Sequence, residues 1–285
     1  MEIRRCSVSP PSGTSAPGGE TNAYVLGRDP AVLVDPAGRS AALDRLVADA
    51  KIEHIVVTHP HPDHVGALAA YAAETDATVW ARTGRAAGFR AATGVDPDRE
   101  LRPGTIIELE GTGTKGTGSL DERIRILDAP GHTSDHIAFE AGRNGPICCG
   151  DCAVRDGSVA VTAPEGDMRA YLTTLRRLRA IDPPRLYPGH GPPIDAPRDA
   201  CERLLAHRRR RERRILEAIA GGATTLEAIL DEAYDKNLTG VRDLAKATVV
   251  AHLEKLDVED RLEWDGERAR LTPDAVLDRN RADSD

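Results

Sequence analysis

Four side chains that can bind a metal ion occupy six consecutive positions of the chain. They are His59, His61, Asp63 and His64. The apolar run 54–57 directly before them predicts a buried strand. Imidazole and carboxylate groups are ligands for zinc, iron and manganese, and a junction between strand and loop can point successive side chains into one cavity. The sequence therefore predicts a metal site at the end of this strand.

Three more candidate ligands follow other predicted strands. They are His132 in Pro130-Gly131-His132-Thr133, Asp151 in Gly150-Asp151, and His190 in Pro188-Gly189-His190-Gly191. One cluster cannot fill two coordination spheres, and side chains past the ends of neighbouring strands meet at one edge of a sheet. Pro-Gly-His taken alone is also an ordinary turn. Together with the first cluster, however, we expect all seven residues to form one site.

Short apolar runs alternate with helical stretches before the C-terminal part of the chain, which is typical of an α/β fold. We expect an irregular lead-in over 1–20, a large domain over 21–197, and a helical linker with a small domain over 198–285. In this last part, three predicted helices precede a hairpin marked by Asp265-Gly266. Three helices followed by a hairpin are the outline of a winged-helix domain.

The acidic balance of the chain argues against a general surface for polyanions. The formal net charge is −8, and residues 215–285 hold 9 Lys and Arg against 17 Asp and Glu. Clustered positive charge supplies most of the non-specific affinity for nucleic acids. The basic run 207–214 is the exception. Because a helix spreads its arginines over most of its faces, we interpret this run as a solvated surface paired with acidic neighbours, with a nucleic-acid groove as the alternative.

The sequence has no stretch that approaches the roughly 20 apolar residues of a membrane helix, and its start has no signal-peptide core. We therefore expect a cytoplasmic protein without a membrane partner. Five cysteines, an odd number, predict reduced thiols in place of disulfides. Cys149 and Cys152 have the C-x-x-C spacing of some zinc and redox sites, but without a second cysteine pair we interpret them as buried structural thiols.

Taken in order, the H-x-H-x-D-H string, Pro-Gly-His-Thr, Gly-Asp and Pro-Gly-His-Gly resemble the metallo-β-lactamase superfamily. The resemblance covers residues 20–210 and includes Asn22 and Asp35, where the family has a structural aspartate near its site. It implies an α/β fold, the αββα sandwich of two mixed sheets with helices outside, and a catalytic domain over 21–197. To this fold we add the small C-terminal winged-helix domain.

The family pattern also implies a role for each ligand. The first metal would be held by His59, His61 and His132, the second by Asp63, His64 and His190, with Asp151 bridging both. The metals would be two divalent ions, zinc before iron or manganese, and a bridging hydroxide oriented by Asp63 would be the nucleophile. His136 is a candidate proton donor to the leaving group, with the start of a strand as the alternative interpretation.

The C-terminal part resembles the β-lactamase-like protein 2 group through His-Arg-x-x-Arg-Glu at 207–212 and the winged-helix outline. That group is similar to glyoxalase II in its catalytic half, which implies hydrolysis of a small ester or thioester, as in hydroxyacylglutathione hydrolases. A single-strand-specific endoribonuclease, with single-stranded RNA as its substrate, is the first alternative. The second is a non-enzymatic regulator whose winged helix binds nucleic acid or protein, and the complete ligand set argues against it.

A homodimer is an open expectation. Substrate-binding residues stay unassigned beyond two segments, the loop after Trp80 and the Gly/Thr-rich residues 111–119.

Overall fold

A computed structural model of the chain describes residues 1–14, 16–109, 122–235 and 237–273. The segment 111–119 lies outside these residues. The described chain forms two units. The first contains Met1–Ala129, Asp135–Gly157 and Arg177–Ala200, and the second contains Pro130–Ser134, Ser158–Arg176 and the chain from Cys201 onward. Two segments of the expected catalytic domain, 130–134 and 158–176, therefore group with the C-terminal unit.

Six strands of the described residues form the first sheet, in the order β1-β2-β3-β4-β5-β6. Their bounds are β1 Ile3–Val8, β2 Thr21–Gly27, β3 Ala31–Val34, β4 Ile52–Val56, β5 Thr78–Arg82 and β6 Arg99–Leu101. β1 to β3 are antiparallel, and β3 to β6 are parallel. Within β2, Val25 and Leu26 enter different buried clusters on opposite faces. β3 reads as a continuous apolar run because both of its faces are buried.

A second sheet of five strands lies in the same unit within the described ranges, in the order β11-β10-β9-β8-β7. Its strands are β7 Ile106–Glu108, β8 Arg123–Asp128, β9 Ile137–Ala141, β10 Ile147–Gly150 and β11 Leu186–Pro188. One buried cluster joins Leu26 and Val34 of the first sheet to Ile126 and Phe139 of the second. The two sheets therefore share a core between them.

Four helices of the described chain belong to the first unit. They are α1 Ala41–Ala48, α2 Pro62–Val65, α3 Leu68–Thr75 and α4 Ala86–Thr93. The side chain of Ser40 caps α1 by accepting the Leu43 N–H. Leu43, Leu68 and Phe89 pack in one cluster with the outer face of the first sheet. The mixed α/β class expected from the sequence is confirmed.

The lead-in over 1–20 is not irregular throughout, because β1 pairs with β2 along its whole length. Cys6 and Val8 alternate on its buried side. Two charged residues, Arg4 and Arg5, interrupt the apolar pattern that would have indicated this strand. Both arginines donate to main-chain carbonyls, and the strand itself is held by main-chain hydrogen bonds that need no apolar sequence.

The C-terminal part contains three helices and a hairpin in the described residues. Together with the preceding helix α5 Met168–Ile181, the elements are α6 Pro197–Ala220, α7 Leu226–Ala233, α8 Arg242–Val258, β12 Leu262–Trp264 and β13 Ala269–Leu271. Asp265 forms the predicted hairpin turn by accepting the N–H groups of Glu267 and Arg268. Among the described helices, none combines the length and the apolar character needed to span a membrane.

Four arginines of the basic run 207–214 are exposed, as expected, and two are not. Arg208 is buried, and Arg211 packs its guanidinium 3.4 Å from the centroid of the Tyr234 ring. Arg214 pairs with Asp235 at 2.5 Å. A helix that packs on several sides buries some members of any charged run, and the sequence does not say which.

Candidate metal centre

Asp35 anchors the start of the ligand string. It lies directly after β3, and its Oδ1 accepts the Thr58 N–H at 2.7 Å while its Oδ2 accepts the Thr58 hydroxyl at 2.8 Å. β3 and β4 are parallel neighbours, so their carboxyl ends reach the same sheet edge. The Asp35 carboxylate therefore fixes the position of Thr58, which directly precedes the candidate ligands of residues 59–64.

His64 reaches the site from the single turn of α2, which begins at Pro62. Its Nδ1 donates to Asp35 Oδ2 at 3.0 Å. Its Nε2 has no hydrogen-bond partner among the described residues and lies 3.6 Å from Asp151 Oδ1 and 4.0 Å from Asp63 Oδ2. A buried imidazole nitrogen that faces two carboxylates is an arrangement that a bound cation completes.

His190 repeats this arrangement from the loop after β11. Its Nδ1 donates to the carbonyl of Glu20 at 2.9 Å, and its Nε2 lies 3.4 Å from an oxygen of Asp63 and 3.4 Å from one of Asp151. Within the part of the chain that the structure describes, this Nε2 also lacks a hydrogen-bond partner. Ligand atoms of Asp63, His64 and His190 all lie within 4.8 Å of one another, as do those of His59, His64 and Asp151.

His59 and His61 bring two ring nitrogens together. His59 Nε2 lies 2.9 Å from His61 Nδ1, while His59 Nδ1 contacts the Thr58 hydroxyl oxygen at 3.0 Å. Because that hydroxyl donates to Asp35, its oxygen accepts the proton of His59 Nδ1. Bonds of about 2.0–2.1 Å to one tetrahedral zinc place two ligand nitrogens roughly 3.3 Å apart. The distance of 2.9 Å between these two nitrogens is therefore close to the distance between two ligands on one ion.

His132 belongs to the second unit, on the short segment Pro130–Ser134. Its Nδ1 donates to the carbonyl of Ala160 at 2.7 Å. The chain enters this segment from Ala129 and leaves it at Asp135, both in the first unit. A hydrogen bond at Nδ1 leaves Nε2 as the ligand nitrogen, and the same tautomer is set for His59, His64 and His190.

The carboxylates of the site control the protonation of its histidines. Burial lowers the pKa of His64, but Asp35, Asp151 and Asp63 outweigh it and raise that pKa from 6.5 to about 9. Burial also lowers the pKa of His190, and its contact with Asp151 produces a net rise. The site thus attracts positive charge, which protons or a divalent cation can supply. The donor set and its charge fit a divalent metal.

Gly189 allows the side chains of the site to approach the chain closely. A Cβ at this position would lie 2.4 Å from Asp151 Oδ1 and 2.7 Å from His64 Cε1. These separations are shorter than any non-bonded contact allows. The glycine of the Pro-Gly-His-Gly motif is therefore required by the packing of two candidate ligands.

His136 is completely buried beside the site. Its Nε2 accepts the Asp151 N–H at 3.0 Å, and its Nδ1 lies 3.5 Å from the sulfur of Cys152. A nitrogen that accepts this hydrogen bond carries no proton to donate. Cys149 and Cys152 are buried thiols, as are the other three cysteines, which agrees with the structural interpretation of the C-x-x-C spacing.

The sequence indicated the candidate ligands but not the groups that orient them. The acceptors for His132 and His190 are main-chain carbonyls of Ala160 and Glu20, which carry no side-chain signature. For Thr58, the only feature of the sequence that pointed to a role at the site was its position next to His59.

Comparison with known proteins gives a consistent result. The model described as the metallo-beta-lactamase superfamily matches residues 16–190, which include all seven candidate ligands. A beta-lactamase-like protein 2 homolog of Drosophila melanogaster is 29% identical over 257 residues, covering 85% of this chain and 84% of the relative. A hydroxyacylglutathione hydrolase of Albidiferax ferrireducens is 34% identical over 155 residues, 53% of each protein. The crystal structure of a metallo-beta-lactamase family protein from Thermus thermophilus superposes with a TM-score of 0.73 at 22% identity, covering 95% of this chain and 98% of that one.

Proposed function

Because the chain belongs to the metallo-beta-lactamase superfamily, a family of metallo-hydrolases, we propose that it hydrolyses a small ester or thioester with two divalent metal ions. The observation that carries this proposal is the pair of buried Nε2 atoms of His64 and His190, which face Asp63 and Asp151 without a hydrogen-bond partner among the described residues. The hydroxyacylglutathione hydrolase relative supports the thioester class.

The seven candidate ligands divide into two sets. The first ion would be held by His59, His61 and His132, the second by Asp63, His64 and His190, and Asp151 would serve both. Zinc is the proposed metal, with iron and manganese as alternatives for the same donors. When bound, such ions activate water and polarise the carbonyl oxygen of the substrate.

The protein's own groups orient the candidate ligands and the attacking water. The Nδ1 contacts with Thr58, Asp35, Ala160 and Glu20 hold four histidine rings in the ligand tautomer. We further propose that Asp63, which is 8% exposed, orients the attacking water. For His136 we propose a supporting role in place of the proton donor, because its Nε2 holds the main chain of Asp151.

We propose a winged-helix domain for α6 to α8 with the hairpin β12–β13. The endoribonuclease remains the runner-up, but the side chain of Arg208 is buried and Arg211 and Arg214 are engaged with Tyr234 and Asp235. These contacts weaken the local support that the basic run gave to RNA cleavage.

The test is turnover of the purified, metal-quantified protein on an acyl-glutathione thioester and, in parallel, on a labelled single-stranded RNA. Asp63→Asn is the diagnostic variant, and Asp156→Asn, an exposed carboxylate of the same unit, is its control. We expect thioester hydrolysis that falls at least about 10²-fold in Asp63→Asn and is unchanged in Asp156→Asn. Asp63-dependent RNA cleavage without thioester hydrolysis would establish the runner-up. Unchanged thioester turnover in Asp63→Asn would remove the mechanism.

A further inference from the structure

Arg208 is a cation that lies buried within the basic run 207–214. It is 3% exposed, its Nη2 donates to the carbonyl of Val159, and its Cζ lies 5.5 Å from the centroid of the Tyr171 ring. Its Nε has no hydrogen-bond partner in the described ranges. A carbonyl and an aromatic ring compensate a buried guanidinium less than a carboxylate does, so this placement costs free energy. This cost suggests that the buried guanidinium of Arg208 has a specific function.

The carbonyl that Arg208 contacts is next in the chain to the one that orients His132. Ala160, which follows Val159, accepts the His132 Nδ1 proton at 2.7 Å. Such acceptors fix the tautomer and ring direction of metal-binding histidines, and their loss weakens metal affinity. Arg208 therefore holds the peptide segment whose position sets His132. All of these residues lie within the second unit.

The second contact of Arg208 leads to the same histidine. A Cβ on Gly131 would lie 2.3 Å from the main-chain nitrogen of Tyr171, so the turn that carries His132 packs directly against the Tyr171 backbone. The Asp167 N–H also donates to the Gly131 carbonyl at 2.9 Å. The guanidinium thus contacts two elements, and each of them touches the Gly131-His132 turn.

The C-terminal helices hold the orienting segment at a second point. The Ala163 N–H donates to the carbonyl of Ala247 in α8 at 3.2 Å, while Arg208 on α6 holds Val159. The segment between these contacts contains Ala160. Two helices of the C-terminal part therefore define the place of the His132 acceptor.

We propose that Arg208 is a positioning residue for His132 and, through it, for the first metal ion. It keeps the Ala160 carbonyl where it accepts the His132 Nδ1 proton, which leaves Nε2 as the ligand atom. The inference rests on the proposed two-metal function, because the orientation of His132 matters here for metal binding. It also gives the C-terminal helices a role that requires no nucleic acid.

Metal titrations with matched variants test this inference. Arg208→Met keeps the length of the side chain and its contact with Tyr171 but removes the donors, and Arg208→Lys keeps one donor. Arg209→Met is the control, since Arg209 is the exposed neighbour on the same helix. Cobalt is titrated into metal-free protein, and the visible absorption together with metal quantification gives the affinity of each equivalent.

We expect Arg208→Met to weaken one of two equivalents about 10- to 100-fold and to leave the other unchanged. Arg208→Lys should recover part of this affinity, and Arg209→Met should match the wild type. Arg208→Met should add nothing to the effect of His132→Ala on that equivalent, because both changes act on the same ligand.

Wild-type affinity for both equivalents in Arg208→Met would overturn the inference. Equal weakening of both equivalents, additive with His132→Ala, would also overturn it, because it marks a general effect on stability. If Arg208→Met does not fold, Arg208→Lys decides by the same criteria. A wild-type protein that binds fewer than two equivalents contradicts the two-metal function and this inference together, whereas two equivalents with an unaffected variant contradict this inference alone.

Discussion

Asp35 links the metal-binding string to the sheet through a fully used carboxylate. It accepts the Thr58 N–H, the Thr58 hydroxyl and the His64 Nδ1 proton, and it is 1% exposed. Water cannot replace any of these three bonds in a buried position. The direction of the His64 ring therefore depends on Oδ2 of Asp35, while Oδ1 holds the main chain of Thr58.

Asp35→Asn should weaken metal binding without moving the main chain. Asparagine tolerates the left-handed φ of 50° found here, so the backbone has no reason to move. Its NH₂ group, however, must face either Thr58 or His64, which are both donors. We expect affinity for one metal to fall about 10- to 100-fold and the free energy of unfolding to fall by about 1–3 kcal/mol. Competitive metal titration and urea denaturation measure the two effects, and wild-type metal affinity would contradict the role given to Asp35.

Gly189→Ala should disturb the site because its added Cβ clashes with a candidate ligand. The added Cβ would lie 2.4 Å from Asp151 Oδ1, so either the carboxylate or the loop must shift. We expect a substoichiometric metal content after dialysis. Gly88→Ala is the control, because apart from its chain neighbours and the backbone of its own helix no described atom lies within 4 Å of its Cβ, and alanine favours a helix. Full metal content in Gly189→Ala would show that the loop gives way without cost.

The sequence indicated candidate site residues where a side chain carried the signal. His59, His61, Asp63 and His64 stand in one dense string, and the structure brings Asp151 and His190 to them. Main-chain acceptors such as Ala160 depend on three-dimensional packing alone. For the same reason the sequence indicated His136 as a proton donor but could not reveal its contact with the Asp151 N–H.

Among the elements, the contact of α6 with α8 contains two histidines that resist protonation. His252 is completely buried and lacks hydrogen-bond partners in the described chain, and His207 is half-buried. Burial, then the charges of Arg208 and Arg211, lower the pKa of His207 to about 4. Burial, followed by Arg208 and Lys255, lowers the pKa of His252 well below 6.5.

The second unit should therefore lose stability in mild acid. An unfolded histidine titrates near 6.5, so between pH of about 6.5 and 4 the unfolded chain binds more protons than the folded one. Stability is present above this window and is lost as the pH falls through it. Urea unfolding followed by Trp264 fluorescence in a Trp80→Phe background measures this at pH 7.5 and 5. The loss should shrink in His207→Gln, and an equal loss in wild type and variant would refute the assignment.

The elements that the sequence predicted are those with a local pattern. β2 and β3 stand out because both of their faces are buried and mostly apolar, and the hairpin β12–β13 because Asp265-Gly266 marks its turn. β1 was missed because its stability comes from pairing with β2, and no local pattern reports a pairing with a distant segment. The partition of 158–176 with the C-terminal unit likewise depends on long-range contacts such as the one between Arg208 and Val159.

At the scale of the whole molecule, we expect stability to depend on bound cations, because three carboxylates of the candidate site are buried. Asp35, Asp63 and Asp151 are 1%, 8% and 7% exposed. Without metal, a protonated histidine can supply positive charge, because Asp35, Asp151 and Asp63 raise the pKa of His64 to about 9 against the effect of burial. A divalent metal that binds only the folded state adds its binding free energy to stability.

Removal of metal should consequently lower the melting temperature. At a free metal concentration of about 1,000 times Kd, one site contributes about 4 kcal/mol to the free energy of unfolding. Calorimetry before and after chelation, with metal returned as the control, measures this difference. A melting temperature that is the same with and without metal would contradict tight binding to the folded state.

The most direct test of the proposed two-metal centre is anomalous diffraction from crystals of the zinc-loaded protein, recorded on both sides of the zinc edge. We expect two peaks, one bound by His59, His61 and His132 and the other by Asp63, His64 and His190, with an Asp151 oxygen in contact with both. A single peak, or zinc held by other residues, would contradict the account.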